Sequence, residues 1–133
     1  MAKKVFEIEM KVRDYECDAQ GIVNNANYLH YAEFTRHEFM ESLGISFKEC
    51  HEQGIDPVVS RADLRYKASL TGGEWFFSSL TVERKGAKMF FRQTFRRKSD
   101  GAVCCEALVE VAVLVYGKLS RGDSFDEKMR DYL

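Results

Sequence analysis

The chain has 133 residues, which suits one domain built around one core. Hydrophobic residues make up 45%, which excludes a disordered chain, and charged residues make up 31% but nearly cancel to a formal net charge of -1. That balance leaves no net basic field to hold nucleic acid or an anionic membrane. The N-terminus, Met1-Ala2-Lys3-Lys4-Val5, lacks the apolar run of a signal peptide. No stretch approaches the roughly 20 apolar residues that span a bilayer. The expectation is a cytoplasmic chain forming a single domain over residues 1–133, without nucleic-acid or membrane partners. The four cysteines, Cys17, Cys50, Cys104 and Cys105, form no Cys-x-x-Cys pair and no zinc spacing. Free thiols and no metal site are expected. Adjacent Cys104 and Cys105 should point to opposite faces of a strand.

Residues 5–13 alternate. Phe6, Ile8, Met10 and Val12 face one way; Glu7, Glu9, Lys11 and Arg13 face the other, as in a strand with one buried face. Residues 14–25 are polar, contain Gly21 and read as a loop. Asn24 and Asn25 are suitable N-caps for the helix that follows. That helix is expected over 26–43, with Gly44 as its stop. Tyr28, Tyr31, Ala32, Phe39 and Leu43 share one side, flanked by Leu29 and Met40, while His30, His37 and Glu41 fall opposite. Arg36 sits inside the apolar arc, three residues from Glu33, so the two are expected to form a partly buried pair. A helical turn over 46–53 ends at Gly54.

Four strands are expected next, over 55–67, 74–85, 88–97 and 102–116, with Gly72-Gly73, Gly86 and Asp100-Gly101 supplying turns. The polar tail should close with a short helix from about 125. Short connections make the last strands antiparallel neighbours. One sheet wrapped around one amphipathic helix buries the apolar face of both. This is an α+β class, the hot-dog arrangement, with a five-stranded antiparallel sheet around one long central helix.

The chemistry centres on Glu16-Cys17-Asp18-Ala19-Gln20-Gly21-Ile22-Val23-Asn24-Asn25. Taken alone, Asp18-x-x-Gly21 is a turn pattern, because Asp bonds its own backbone and Gly accepts positive φ. The capped helix adds a second possibility. Backbone N–H groups at a helix start are unpaired and partly positive. They can polarise a thioester carbonyl and hold the oxyanion formed on it. A nearby carboxylate can attack that carbonyl or activate water.

The run Val12-Arg13-Asp14-Tyr15-Glu16-Cys17-Asp18-Ala19-Gln20-Gly21-Ile22-Val23-Asn24-Asn25-Ala26-Asn27-Tyr28 resembles the signature of the 4-hydroxybenzoyl-CoA thioesterase-like superfamily. That signature is an Asp, then Gly or Gln three later, Val five later and Tyr ten later; Asp18, Gly21, Val23 and Tyr28 match it. The Val-Asn-Asn-Ala-x-Tyr run is most similar to the superfamily's long-chain acyl-CoA and acyl-carrier-protein thioesterases. The resemblance implies hydrolysis of acyl-CoA to free acid and CoA. Asp18 would be nucleophile or general base, with the backbone N–H near Asn25 as oxyanion donor and Asn25 assisting. Gly21, Val23, Asn24 and Tyr28 would contact substrate. It also implies no cofactor beyond the coenzyme A of the substrate, and a homodimer or homotetramer with active sites at the dimer interface. The chain departs from some relatives, which carry His at position 25 and Tyr at 14. Acyl-carrier-protein thioesterases often have Asn at 20 and His at 22, where this chain has Gln20 and Ile22. Those differences favour acyl-CoA and a mechanism without His.

Other readings compete. A hot-dog dehydratase needs a His in or beside the motif, and none is there. A non-catalytic acyl-binding module would explain the fold without turnover. Cys17 has no accompanying base. His30 and His37 read as solvent-exposed, and His51 is isolated. Glu33 lies well into the helix, a remote alternative carboxylate. The coenzyme A phosphates call for cations; Arg61, Arg65, Lys85, Lys88, Arg92, Arg96 and Arg97 are available, though each also fits an ordinary solvated face.

Overall fold

The computed structural model describes residues 3–133. Met1 and Ala2, the start of the segment expected to lack a leader, lie outside the described residues. In chain order the elements are strand β1 (Phe6–Lys11), a 3-10 turn (Asp14–Glu16), helix α1 (Asn25–Ser42), helix α2 (Phe47–Glu52), and strands β2 (Ile55–Tyr66), β3 (Trp75–Lys85), β4 (Lys88–Arg97), β5 (Val103–Val115) and β6 (Lys118–Leu119). The order expected from the sequence is present, with α1 starting one residue earlier. The two-residue β6 adds a sixth strand against β5. No regular helix forms after residue 124; that tail is a series of turns that packs Phe125 and Met129 into the core.

All strand pairs are antiparallel, in the order β1-β3-β4-β5-β2. The long segment carrying α1 separates β1 from β2, so those two strands become the opposite edges of the sheet. Phe76, Leu80 and Val82 of β3 are buried, as are Met89, Phe91 and Phe95 of β4, all toward α1. Tyr28, Tyr31, Ala32, Phe39 and Met40 are the helix's apolar contribution to that core. Leu29 remains 45% exposed on the flank of α1. No helix among the described residues is long and apolar enough to cross a membrane.

The core divides into two apolar clusters. One holds Phe39, Met40, Leu80, Phe91 and Val109, Val111 and Val113 of β5; the other holds Tyr28, Tyr31, Phe76, Phe95, Cys104 and Cys105. Polar contacts lie across the middle. Thr35 donates to the Tyr31 carbonyl at 2.8 Å and meets the Ser78 hydroxyl at 2.6 Å. The Gln93 amide, 1% exposed, donates to the Ala32 carbonyl at 3.0 Å and accepts from Arg36 at 3.0 Å. Each of these buried polar side chains thereby has a partner, which avoids the cost of an unsatisfied one.

Two expectations are corrected here. Arg36 pairs with Gln93 of β4, and Glu33 turns outward to within 3.7 Å of His37. Gln93 is a long side chain on the face of β4 that looks toward α1, and it reaches the guanidinium across the core. Burial pulls the Arg36 guanidinium below its ordinary pKa, with Glu33 opposing weakly. Secondly, Cys104 and Cys105 do not divide between two faces. The register slips between Phe95 and Arg96, a β-bulge, and both thiols end in one core cluster at 0% exposure. Burial pushes the Cys105 thiol up to about 11. All four cysteines are free.

Phe39 is fully buried and packs against Phe6, Phe91 and Tyr132, with ring centroids 5.4, 6.3 and 4.8 Å away. Truncation there leaves a cavity that several elements share. Phe39→Ala is expected to cost about 3–5 kcal/mol of stability, read as a lower midpoint in urea with an unchanged slope. A loss under about 1 kcal/mol would show that the far cluster contributes little to stability.

Candidate active site

The segment between β1 and α1 is a tied loop. Cys17 and Val23 form an antiparallel bridge, as do Ile22 and Thr71, and the Val23 N–H donates to the Leu70 carbonyl at 2.8 Å. Asp18 heads the turn inside this loop. Its Oδ1 accepts the Gln20 N–H at 2.8 Å, and its carbonyl accepts the Gly21 N–H at 3.0 Å. Gly21 holds φ +78, a conformation that Gly adopts without a Cβ penalty. The turn pattern read from the sequence is thus formed. The second carboxylate oxygen, Oδ2, accepts no hydrogen bond among the described residues.

The start of α1 follows directly. Four N–H groups there, from Asn24 to Asn27, lack partners within the helix. The Asn24 N–H donates to the Glu16 carbonyl at 2.9 Å. The Ala26 N–H donates to the Asn24 side-chain oxygen at 3.0 Å, and the Asn27 N–H to the Asn24 carbonyl at 2.9 Å. Only the Asn25 N–H has no acceptor among the described residues.

Asn25 and Asp18 line one cleft of about 180 Å³, with Ile22, Val23, Tyr28 and Cys104 behind them and Tyr66, Lys67 and Ser69 from the end of β2 opposite. Tyr66 is half-exposed; its ring lies edge-on to Tyr28 at 5.5 Å, and its hydroxyl donates to the Asn25 carbonyl at 3.3 Å. Of the residues singled out from the sequence, Asp18, Val23, Asn25 and Tyr28 therefore meet in the cleft. Gly21 shapes the turn, and Asn24 caps the helix; neither lines the cleft.

Tyr66, Lys67 and Glu16 were missed by sequence reading. Tyr66 and Lys67 lie far along the chain from the motif, which ends at Tyr28, and carry no local signal. Lys67 is the cation on the cleft wall, 3.7 Å from Glu106. The cations named from sequence are placed elsewhere. Lys88 lies 3.7 Å from Glu110, Arg65 lies 4.0 Å from Asp63, and Arg97 is held by Asp100 and the Ser69 carbonyl. Glu16 is 7% exposed and sits beneath the loop.

The chemistry of the neighbours narrows the alternatives. The Cys17 thiol is pushed up, first by burial and then by the carboxylates of Asp14, Asp18 and Glu16, which disfavours a thiolate nucleophile. His30 and His37 are exposed, and His51 pairs with Asp56 at 2.7 Å away from the cleft. Among the described residues, no group of three His, Cys, Asp or Glu could hold a metal ion. The cleft offers a carboxylate oxygen and a backbone donor without a protein partner, against an apolar back wall.

Comparison with known proteins identifies the family and the fold. Residues 12–133 match the model of the thioesterase-like superfamily. A chloroplastic acyl-acyl carrier protein thioesterase of Arabidopsis thaliana is 37% identical over 86 residues, 64% of this chain and 45% of that protein. The chain thus spans less than half of that relative's length. A putative esterase of Aquifex aeolicus is 34% identical over 98 residues, 74% of this chain and 77% of its own. Among solved structures, a 1,4-dihydroxy-2-naphthoyl-CoA thioesterase from Synechocystis superposes with a TM-score of 0.89 at 14% identity, covering 96% of this chain and 97% of that one. At that identity the likeness shows the fold, which is the hot-dog. With the family match extending over nearly the whole sequence, the chain belongs to the thioesterase-like superfamily.

Proposed function

We propose that the chain hydrolyses acyl thioesters, with acyl-CoA as the substrate class, at the cleft between Asp18 and the start of α1. The observation that carries this reading is the lone Asn25 N–H. Three of the four open donors at the helix start are engaged, and the fourth belongs to a residue that shares the cleft with a half-free carboxylate. A thioester carbonyl set against Asn25 gains charge on its oxygen as it becomes tetrahedral, and a fixed donor stabilises that charge more than the ground state.

Two routes fit these groups. In the first, Asp18 Oδ2 attacks the carbonyl carbon, the C–S bond breaks, and CoA leaves as thiolate. Water then cleaves the resulting anhydride, returning the free acid and the carboxylate. In the second, Asp18 takes a proton from water as the water oxygen attacks, and that proton passes to the departing sulfur. The Asn25 side chain, exposed and without a hydrogen-bond partner among the described residues, would orient the water. Neither route draws on a bound cofactor. The names of the relatives support the chemistry and include both carrier proteins and CoA. Gln20 and Ile22 favour CoA, and Lys67 is a cation suited to one of its phosphates.

The assembly proposed is a homodimer, able to pair again into a tetramer, with the cleft near the interface. β2 is a 12-residue edge strand with Val58 39% and Val59 52% exposed, and an unpaired edge of that length seeks a partner. On the adjacent flank of the helix, Leu29 is 45% exposed.

Two experiments test these points. Free-thiol release from a panel of short, long, branched and aromatic acyl-CoAs, with acyl carrier proteins alongside, should show turnover. Asp18→Asn should reduce it about 100-fold or more, a loss of roughly 3 kcal/mol of transition-state stabilisation. A wild-type chain silent on every substrate removes the hydrolase reading; an Asp18→Asn variant with full activity removes the residue assignment. For the assembly, the double substitution of Val58 and Val59 by Lys should shift the sedimentation coefficient from dimer to monomer. An unchanged dimer would place the interface on another surface.

A further inference from the structure

We propose that Glu16, two residues before Asp18, is a positioning residue for the hydrolysis. Its carboxylate and its carbonyl together hold the Asp18 turn and the Asn25 N–H at a fixed separation. The inference rests on the reading of Asp18 and Asn25 given above.

Glu16 binds at both ends. Its carboxylate, 7% exposed as a residue, accepts the Arg13 N–H at 2.7 Å and the Tyr31 hydroxyl at 2.9 Å on Oε1, and the Arg13 guanidinium at 2.9 Å on Oε2. Its carbonyl accepts the Asn24 N–H at 2.9 Å and the Asn27 side-chain amide at 2.7 Å. One residue thus joins the exit of β1, the two ends of the reacting loop, and the first and second turns of α1.

These contacts differ in weight. Arg13 is half exposed, so its ion pair is screened by solvent and contributes little. The Tyr31 bond is interior. Tyr31 is 2% exposed, its ring 4.9 Å from Phe76, and without Glu16 its hydroxyl would be left in the core without an acceptor. Burial, and then Glu16 itself, hold the Tyr31 phenol well above its usual pKa, so it remains a donor at neutral pH. Tyr31 is anchored in the core, and through Glu16 its position passes to Asn24 and the neck of the loop. The Cys17–Val23 bridge closes that loop one step further in. Asp18 then has little freedom relative to Asn25. Reaction requires this, because a displacement of about 1 Å at a reacting group costs about 100-fold in rate.

A group that only stabilised the fold would lower the melting temperature and leave the turnover of the folded molecules unchanged. The test uses full-length chains and an acyl-CoA that the wild type hydrolyses, with kcat, KM and thermal melts recorded together. At a temperature where the melts show complete folding, Glu16→Gln should lower kcat by about tenfold or more with KM within about twofold. Tyr31→Phe should lower kcat by a smaller factor, and adding it to Glu16→Gln should cost little more, since Tyr31 acts through Glu16. Glu16→Asp, which keeps the charge on a shorter arm, should recover part of the loss. In an Asp18→Asn background, Glu16→Gln should add no further loss.

A folded Glu16→Gln chain with wild-type kcat, or one whose only change is a higher KM, overturns the proposal. So does a kcat that falls only as the folded fraction falls. If Glu16→Gln does not fold, Tyr31→Phe carries the test, and a folded Tyr31→Phe chain with wild-type kcat overturns it. Failure of the underlying reading looks different: Asp18→Asn would then keep full activity, whereas an inactive Asp18→Asn beside a fully active Glu16→Gln defeats the role of Glu16 alone.

Discussion

The start of α1 must satisfy four N–H groups that a helix cannot satisfy from within, and the surroundings of the site follow from how this chain does so. The helix is forced into the sheet's concavity by its own apolar face, with Tyr31, Ala32 and Phe39 at 2% exposure or less. That packing fixes where the first turn sits, although Asn25 and Ala26 themselves stay exposed. Asn24 takes two of the donors, through its side chain and its carbonyl, and Glu16 takes a third. The geometry that completes the accounting for three groups leaves the Asn25 N–H directed by the same constraints as the rest. A donor fixed by folding needs no reorganisation when charge develops opposite it, and this distinguishes it from a solvent molecule.

The polar contacts across the core extend that rigidity. A helix packed only by apolar contacts can slide or rotate at small cost, because dispersion has little direction. Thr35 to Ser78 fixes α1 against β3, and Gln93 to Ala32, with Arg36 to Gln93, fixes it against β4. These bonds specify the helix's rotation about its axis. The Tyr31–Glu16 bond uses that rotation to place the loop. The far cluster around Phe39 supplies stability, and the near cluster around Tyr28 and Phe95 supplies the cleft's back wall.

The elements were legible because each carries its own period. β1 and β4 alternate, α1 repeats every three to four residues, and Gly44 and Gly54 mark its stop and that of α2. The loop carried a turn pattern, so Asp18 and Gly21 could be located as well. What was hidden depends on contacts between distant elements. Arg36 has Glu33 at helical spacing, and local reasoning pairs them; only the packing of β4 brings Gln93 nearer. Cys104 and Cys105 would obey the alternation rule but for a bulge, set by strand pairing rather than composition, that leaves Cys104 as an extra residue on β5. Tyr66 comes from the far end of an edge strand. Glu16 was the nearest to being readable. Arg13 and Glu16 stand at capping-box spacing, and Tyr31 on the buried arc implies an interior hydroxyl in need of an acceptor.

The turn formed by Asp18 leaves room for the role proposed for it. A carboxylate has two oxygens and accepts at both. Oδ1 is committed to the Gln20 N–H and so fixes the direction of the Cβ–Cγ bond. Oδ2 accepts no hydrogen bond among the described residues, and Asp18 lines the cleft. A residue with one side-chain oxygen, Ser for example, could form the turn but would bring a neutral hydroxyl, with no second carboxylate oxygen, to the cleft. Asn would keep the acceptor for Gln20 and offer an amide nitrogen in place of the second oxygen, preserving the turn while removing the proposed nucleophile or base. The turn is therefore the means by which a flexible acidic side chain is held at one orientation beside the start of α1, and a change that separates the two roles is available at this single position.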